Sequence, residues 1–278
     1  MRIRATVAAV SGALVLSAFA VPAAQAADAS SGKAAFSSAT STAAATLNVT
    51  FSNMKVNSGK AVVVGATAKV AVPVTYTLTH AAGLDVSADN FASGPLIYRG
   101  TSATSFTKRI ISDDPGTCTA ASTTVLNCKA TIYIRPTSDL ANADAATWKA
   151  GGLAISANGA TKTQSDLGSV PVKRLSQLTA DATPEPVKKG NTITVTGKLS
   201  RANWETNKYA GYASQPVKLQ FRKNGSSTYT TVKTITTSST GTLKTTVKAT
   251  VDGYFRYSFA GTSTTPAVNA TGDFVDVK

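Results

Sequence analysis

The sequence predicts an all-β protein built as two antiparallel β-sandwich domains in tandem, and three observations carry that expectation. Apolar and polar residues alternate in short runs, most clearly in Thr192-Ile193-Thr194-Val195-Thr196 and in Val217-Lys218-Leu219-Gln220-Phe221-Arg222. A period of two puts every second side chain on one sheet face. Each run is closed by Gly, Ser, Asn or Pro, which is the rhythm of strands and turns in a sandwich. Thr, Ala, Ser and Val dominate the composition, and Glu occurs only at Glu185 and Glu205, so little material remains for solvated helices.

The 278 residues suffice for two ordinary domains after a leader. Residues 1–26 have the pattern of a secretory signal peptide. Arg2 and Arg4 precede an apolar run from Val7 to Val21, and Ala24-Gln25-Ala26 forms a small-x-small cleavage site. The run is shorter than the ~20 residues needed to span a bilayer. No Cys sits at the cleavage point, which argues against a lipid anchor there. Residues 27–46 are rich in Ala, Ser and Thr with a lone Phe36, and are expected to be disordered, as a trailing tail or a tether.

The first domain is expected over residues 47–174. Its strands are read at 47–51, 61–64, 69–78, 96–98 and 105–111, with Pro73 arguing for an edge position or a bulge in the third of them. Asp113-Asp114-Pro115-Gly116 is a turn signal. Cys118 and Cys128 flank a nine-residue interval, and Cys128 opens a strand to Ile134. Two cysteines in an exported chain are expected to pair, closing a short loop that stabilises by roughly 2–3 kcal/mol. Thr137 to Trp148 reads as one or two helical turns, capped by Ser138 or Asp139 and ended by Gly151-Gly152, with a strand from Leu153 to Ala157. Trp148 is expected in the core.

The second domain is expected over residues 175–278. Thr183-Pro184-Glu185-Pro186 holds the chain extended, as a semi-rigid hinge or, preferably, the first edge strand of this sandwich. Strands follow at 192–199, 217–223, 229–235, 243–251, 254–259 and 274–277. Leu219 with Phe221, and Phe255 with Tyr257 and Phe259, share inward faces. Tyr254 or Tyr257 is placed to bond its hydroxyl to upstream backbone. Between the first two strands, Trp204, Tyr209 and Tyr212 lie in a long insertion with Asn203, Glu205, Asn207 and Lys208. Rings beside amides and carboxylates suit a sugar-binding surface; the alternative is that Trp204 and one Tyr cover the open end of the sandwich. These three aromatics are the candidate ligand-binding residues of the sequence.

A resemblance enters on particular residues. Lys189-Gly190-x-x-Ile193-Thr194-Val195-Thr196-Gly197-Lys198-Leu199, Pro216-Val217-x-Leu219-x-Phe221-Arg222-Lys223-x-Gly225-Ser226-x-x-Tyr229 and Asp252-Gly253-Tyr254-x-Arg256-Tyr257 resemble a bacterial Ig-like repeat of secreted actinobacterial proteins. The resemblance covers about the last third of the chain. It implies an Ig-like sandwich and, because some such proteins are labelled calcium-binding, calcium as a ligand; it is silent on function.

The chemistry of the chain argues against an enzyme. His80 is the one histidine, no Gly-x-Ser-x-Gly elbow or phosphate-binding loop is present, and neither Glu sits in a catalytic pattern. No catalytic residue, metal ligand set or cofactor is assigned. Asp85, Asp89, Asp113, Asp114, Asp139 and Asp144 offer oxygen for calcium, yet no Asp-x-Asp-x-Asp-Gly loop appears. The formal charge of +14 falls to +12 once Arg2 and Arg4 leave, which draws the chain toward polyanions. The cations are spread over strands and form no block, so nucleic acid is not expected as a specific partner. No sorting pentapeptide or apolar tail follows Val277-Lys278, and no transmembrane anchor is expected. The reading is a non-enzymatic extracellular module, released or held non-covalently on the envelope, that binds an envelope polymer, glycan or protein. The alternative is a structural spacer or a calcium-stiffened pair of domains.

Overall fold

A computed structural model describes residues 46–278. The expected signal peptide and nearly all of the Ala/Ser/Thr-rich segment lie outside the described residues; Thr46, at its end, forms a parallel bridge to Thr161. The first ten strands are β1 (Val49–Val56), β2 (Val62–Val64), β3 (Val70–His80), β4 (Phe91–Gly100), β5 (Phe106–Ile111), β6 (Thr117–Ala120), β7 (Val125–Ile134), β8 (Thr147–Ser156), β9 (Thr161–Gln164) and β10 (Ser169–Arg174). Ten more follow: β11 (Ser176–Leu178), β12 (Asp181–Thr183), β13 (Thr192–Asn203), β14 (Lys208–Gly211), β15 (Pro216–Lys223), β16 (Thr230–Thr236), β17 (Thr242–Lys248), β18 (Gly253–Phe259), β19 (Val268–Asn269) and β20 (Asp273–Val275).

The first ten strands make two sheets, ordered β1-β3-β7-β6 and β2-β10-β8-β4-β5, with β9 also on β8. Their facing sides meet in a core that includes Phe51, Val74, Leu78, Ile97, Ile132 and Trp148. The remaining strands make a second pair of sheets. One centres on β13, which pairs with β11, β12, β14 and β17; the other runs β16-β15-β18-β19, with β20 also on β18. Ile193, Val195 and Leu199 of β13 pack there against Leu219, Phe255, Tyr257 and Phe259. Tyr257 donates its hydroxyl to the carbonyl of Val195 across this core at 2.8 Å, a bond to upstream backbone. Pairing is antiparallel between named strands except that β10 runs parallel to β2. The all-β sandwich class is therefore as the alternation predicts.

Several local expectations change. Cys118 and Cys128 are bonded, but the interval between them is a β6–β7 hairpin with the two cysteines directly opposite. Pro73 lies in an interior strand, because β3 sits between β1 and β7. It is tolerated there because β1 stops pairing at Val74, leaving position 73 open on one side. The predicted helix shrinks to one turn, Pro136–Asp139, and a 3-10 turn, Asn142–Asp144; Trp148 stands in β8 and is fully buried. Gly151 and Gly152 continue that strand instead of ending a helix. A Cβ at 152 would lie 2.6 Å from the Phe51 ring, and one at 151 would lie 2.7 Å from the Gln164 carbonyl. Only glycine lets those neighbours approach.

Asp144 anchors the turn before β8. It accepts from Arg99 at 2.9 Å, Lys108 at 3.0 Å and the Ala141 backbone N–H at 2.8 Å, while its side chain is 9% exposed. Burial works to raise this carboxyl, but the Ala141 N–H and the two cations outweigh burial and hold it below its ordinary value. A depressed folded pKa gives stability that is present above the unfolded value, near pH 4, and lost as pH falls through the folded one. Asp144→Asn should therefore cost about 2–3 kcal/mol at neutral pH, measured by urea unfolding. The gap to wild type should begin to narrow as pH drops below about 4 and close once pH falls through the lowered folded value, where the folded carboxyl protonates.

Candidate functional site

The aromatic segment singled out in the sequence is built into the contact between the two pairs of sheets. Strands β10 and β11 are separated by Leu175 alone. Leu175 donates to Val64 at 2.8 Å, and Ala202 donates back to Leu175 at 2.8 Å. The β13–β14 hairpin thus projects toward the first sandwich, with Trp204 at its turn. Trp204 is 2% exposed and packs in the first sandwich's core beside Ala202, and its Nε1 donates to the Gly65 carbonyl at 2.9 Å. Its backbone N–H donates to Asn142 Oδ1 at 3.0 Å, the Asn142 amide donates to Asn203 at 2.9 Å, and Glu205 receives two further bonds from Asn142. Arg174, buried in the same joint, donates to the Ala202 carbonyl, and Lys173 and Ser176 bond the 262–266 loop.

Of the two readings of this segment, a sugar-stacking surface or a cover over the end of the sandwich, the position of Trp204 fits the cover. Trp204 is withdrawn from solvent and plugs the joint. Tyr212 is half-buried, edge-on to Phe259 at 5.8 Å and capped by Arg201 at 3.8 Å from its ring centre. Tyr209 alone keeps an exposed ring, at 37%, with its hydroxyl beside Gly65. Asn203 and Glu205 serve Asn142 rather than a ligand.

Asp85, Asp113, Asp139 and Asp144, four of the carboxylates offered for calcium, have protein partners. Arg135 pairs with Asp113, and its backbone N–H donates to Asp139. Asp85 receives bonds from Ser87 and Asn90. Among the described residues no group of three or more His, Cys, Asp and Glu side chains comes together.

A different surface gathers chemistry. On the outer face of β15 and β18 the register sets Gln220 opposite Arg256 and Arg222 opposite Tyr254; β20 sets Phe274 opposite Tyr254. The side chains form a continuous stack. Phe274 and Tyr254 lie 5.1 Å apart, and Arg222 sits 4.0 Å from the Tyr254 ring and 5.3 Å from the Tyr229 ring. Arg256 closes the row at 3.7 Å from the Tyr229 ring centre, with its Nε donating to Gln220 at 2.9 Å. Gly272 makes room, since a Cβ there would lie 2.2 Å from the Tyr229 hydroxyl. Guanidinium over aromatic contributes about 0.5–1 kcal/mol at exposed sites. Lys218 continues the face on β15, two positions from Gln220. Asp273 is the one carboxylate in the strands of this sheet, and it is turned to the backbone N–H of Ala182. The outer face is cationic and aromatic without a counter-charge of its own. Alternation placed Arg222 and Tyr254 outward; their adjacency needed the strand register.

Fold and face together define an all-β sandwich protein with an exposed arginine–aromatic surface. No protein-family model matches the chain, and no curated protein does. Among solved structures it is similar to the D00–D0 domain of intimin, at 15% identity over 81% of this chain and 99% of that one, with a TM-score of 0.27. It is also similar to the adhesin InvE of Yersinia pseudotuberculosis, at 14% identity over 82% and 58%, TM-score 0.26. Latent PorU from Porphyromonas gingivalis gives 10% identity over 82% of this chain and 20% of that one, TM-score 0.29. Scores this low bear on neither fold nor function, which rest on the strands and contacts above.

Proposed function

We propose that this chain is a non-enzymatic binding module of the cell exterior that holds an envelope polymer or glycan on the outer face of β15 and β18. The observation that supports it is the Phe274–Tyr254–Arg222–Tyr229–Arg256 stack on a sheet whose strands present no outward carboxylate. A flat row of rings and cations suits an extended ligand laid across a surface better than a small molecule enclosed in a pocket. The basic excess of the chain adds attraction toward anionic wall material. Export through a cleaved signal peptide is part of the same reading, as is the absence of catalysis and of a specific nucleic-acid partner. Among the described residues no helix is long and apolar enough to cross a membrane.

A spacer is the second reading, favoured by the joint: Trp204 and the Asn142 bonds tie the two sandwiches into one stiff body. Retention of the mature chain on isolated envelope separates the two. The binding reading expects retention that falls with added salt and drops at least tenfold in the double variant Arg222→Ala/Arg256→Ala. A spacer expects no retention, or equal retention of both proteins. Adding calcium or a chelator to the same assay tests the calcium alternative, which alone expects retention or melting temperature to follow the ion.

A further inference from the structure

We infer that the ligand of this face is an anionic polymer of sugar or polyol units, gripped by the paired forks of Arg222 and Arg256; this rests on the binding reading above. The register makes the two arginines diagonal neighbours across β15 and β18. Such positions stand roughly 7–8 Å apart. Each guanidinium lies over a ring, Arg222 on Tyr254 and Arg256 on Tyr229. The rings hold the guanidinium planes and take up their faces, so recognition falls to the N–H edges. That edge is a planar fork matched to a carboxylate or a phosphate.

Inside the protein, Arg256 donates its Nε to Gln220, while Arg222 donates to the Ser226 carbonyl and to the Tyr229 and Tyr254 hydroxyls, all of them neutral acceptors. With no outward carboxylate in the sheet, the forks compete for no internal anion. Lys218 extends the row of charge along β15. At the other end Phe274 is 36% exposed and offers a ring against which the C–H face of a sugar or polyol unit stacks. Two anion forks at a fixed interval with an apolar platform at one end describe a chain that carries regular negative charges on a carbohydrate-like backbone.

Single-stranded nucleic acid fits less well. Its binding surfaces rely on successive open ring faces for the bases. Here the faces of Tyr229 and Tyr254 are occupied by Arg222, Arg256 and Phe274.

The test is calorimetric titration of the mature chain at about 0.15 M salt, where simple surface attraction is largely screened. The probes are polygalacturonate, poly(glycerol phosphate), neutral dextran and single-stranded DNA. Both acidic polymers should bind, the tighter one identifying carboxylate or phosphodiester as the anion, and dextran should not. Arg222→Lys and Arg256→Lys keep the charge but lose the fork, and each should weaken acidic-polymer binding about tenfold while the chain stays folded with at most a small drop in melting temperature. Unaltered binding by the two lysine variants would overturn the inference in favour of plain charge attraction. DNA bound tighter than either acidic polymer, or dextran bound as tightly as they are, would overturn it too. If dextran alone binds, the envelope-binding reading survives and only the anionic ligand fails; if no polymer binds and envelope retention is absent, both fail.

Discussion

Trp204→Ala is expected to cost about 3–5 kcal/mol and to split thermal unfolding of the chain into two transitions. The indole lies in the first sandwich's core although it belongs to the β13–β14 hairpin of the second, so its removal empties a cavity in the contact between them. The Nε1 bond to Gly65 goes with it, leaving a carbonyl in the joint without its donor. With the plug in place, the two pairs of sheets share side chains and should melt together. Trp204→Phe separates the two contributions. It keeps most of the volume but not the donor, and should cost about 1–2 kcal/mol while leaving a single transition. Calorimetry reads both variants. A single transition in Trp204→Ala at the wild-type temperature would mean that the indole does not couple the sandwiches.

Gly211→Val should destabilise the second sandwich by about 3 kcal/mol or more. A Cβ at Gly211 would lie 1.9 Å from the Thr240 carbonyl oxygen, and both groups are backbone. Gly241 approaches from the other side with φ +80°, where a Cβ would meet the Leu199 carbonyl at 2.3 Å. The two glycines let β14 and the turn before β17 close on β13, where Leu199 bonds Gly241 and Tyr212 bonds Leu199 at 2.9 Å each. A side chain at 211 must push the hairpin away from this base, and the hairpin carries Trp204. The damage should therefore reach the joint as well. Hydrogen exchange should show faster opening at Leu175 and Ala202 in Gly211→Val, beyond the loss around 199–212.

The strands were legible because a half-buried strand writes its period into the chain, as Val217 to Arg222 does. Positions where glycine or proline serves packing were not. Gly151-Gly152 reads as a helix stop, yet it is the flat stretch of β8 on which the Phe51 ring rests. Pro73 reads as an edge, but the distinction depends on where β1 ends, which is a property of its partner. Trp204 illustrates the limit for the site. Its polar neighbours Asn203 and Glu205 look like ligand groups in sequence, while their partner Asn142 is more than sixty positions away. The Arg222–Tyr254 face had the converse problem. Its outward residues follow from alternation, but only the β15–β18 and β18–β20 registers bring rings and guanidiniums into one row.

The most direct test of the account is to map where the polymer touches the protein. Amide chemical-shift perturbation on the isotope-labelled mature chain, titrated with solubilised envelope polymer, should change Lys218 to Arg222, Tyr229, Tyr254 to Ser258 and Phe274, and leave the joint around Trp204 still. Perturbation centred instead on the edge strand β5 and the groove it forms with Asp113, Arg135 and Asp139, about 450 Å³ in volume, would contradict the assignment of the binding face to the second sandwich.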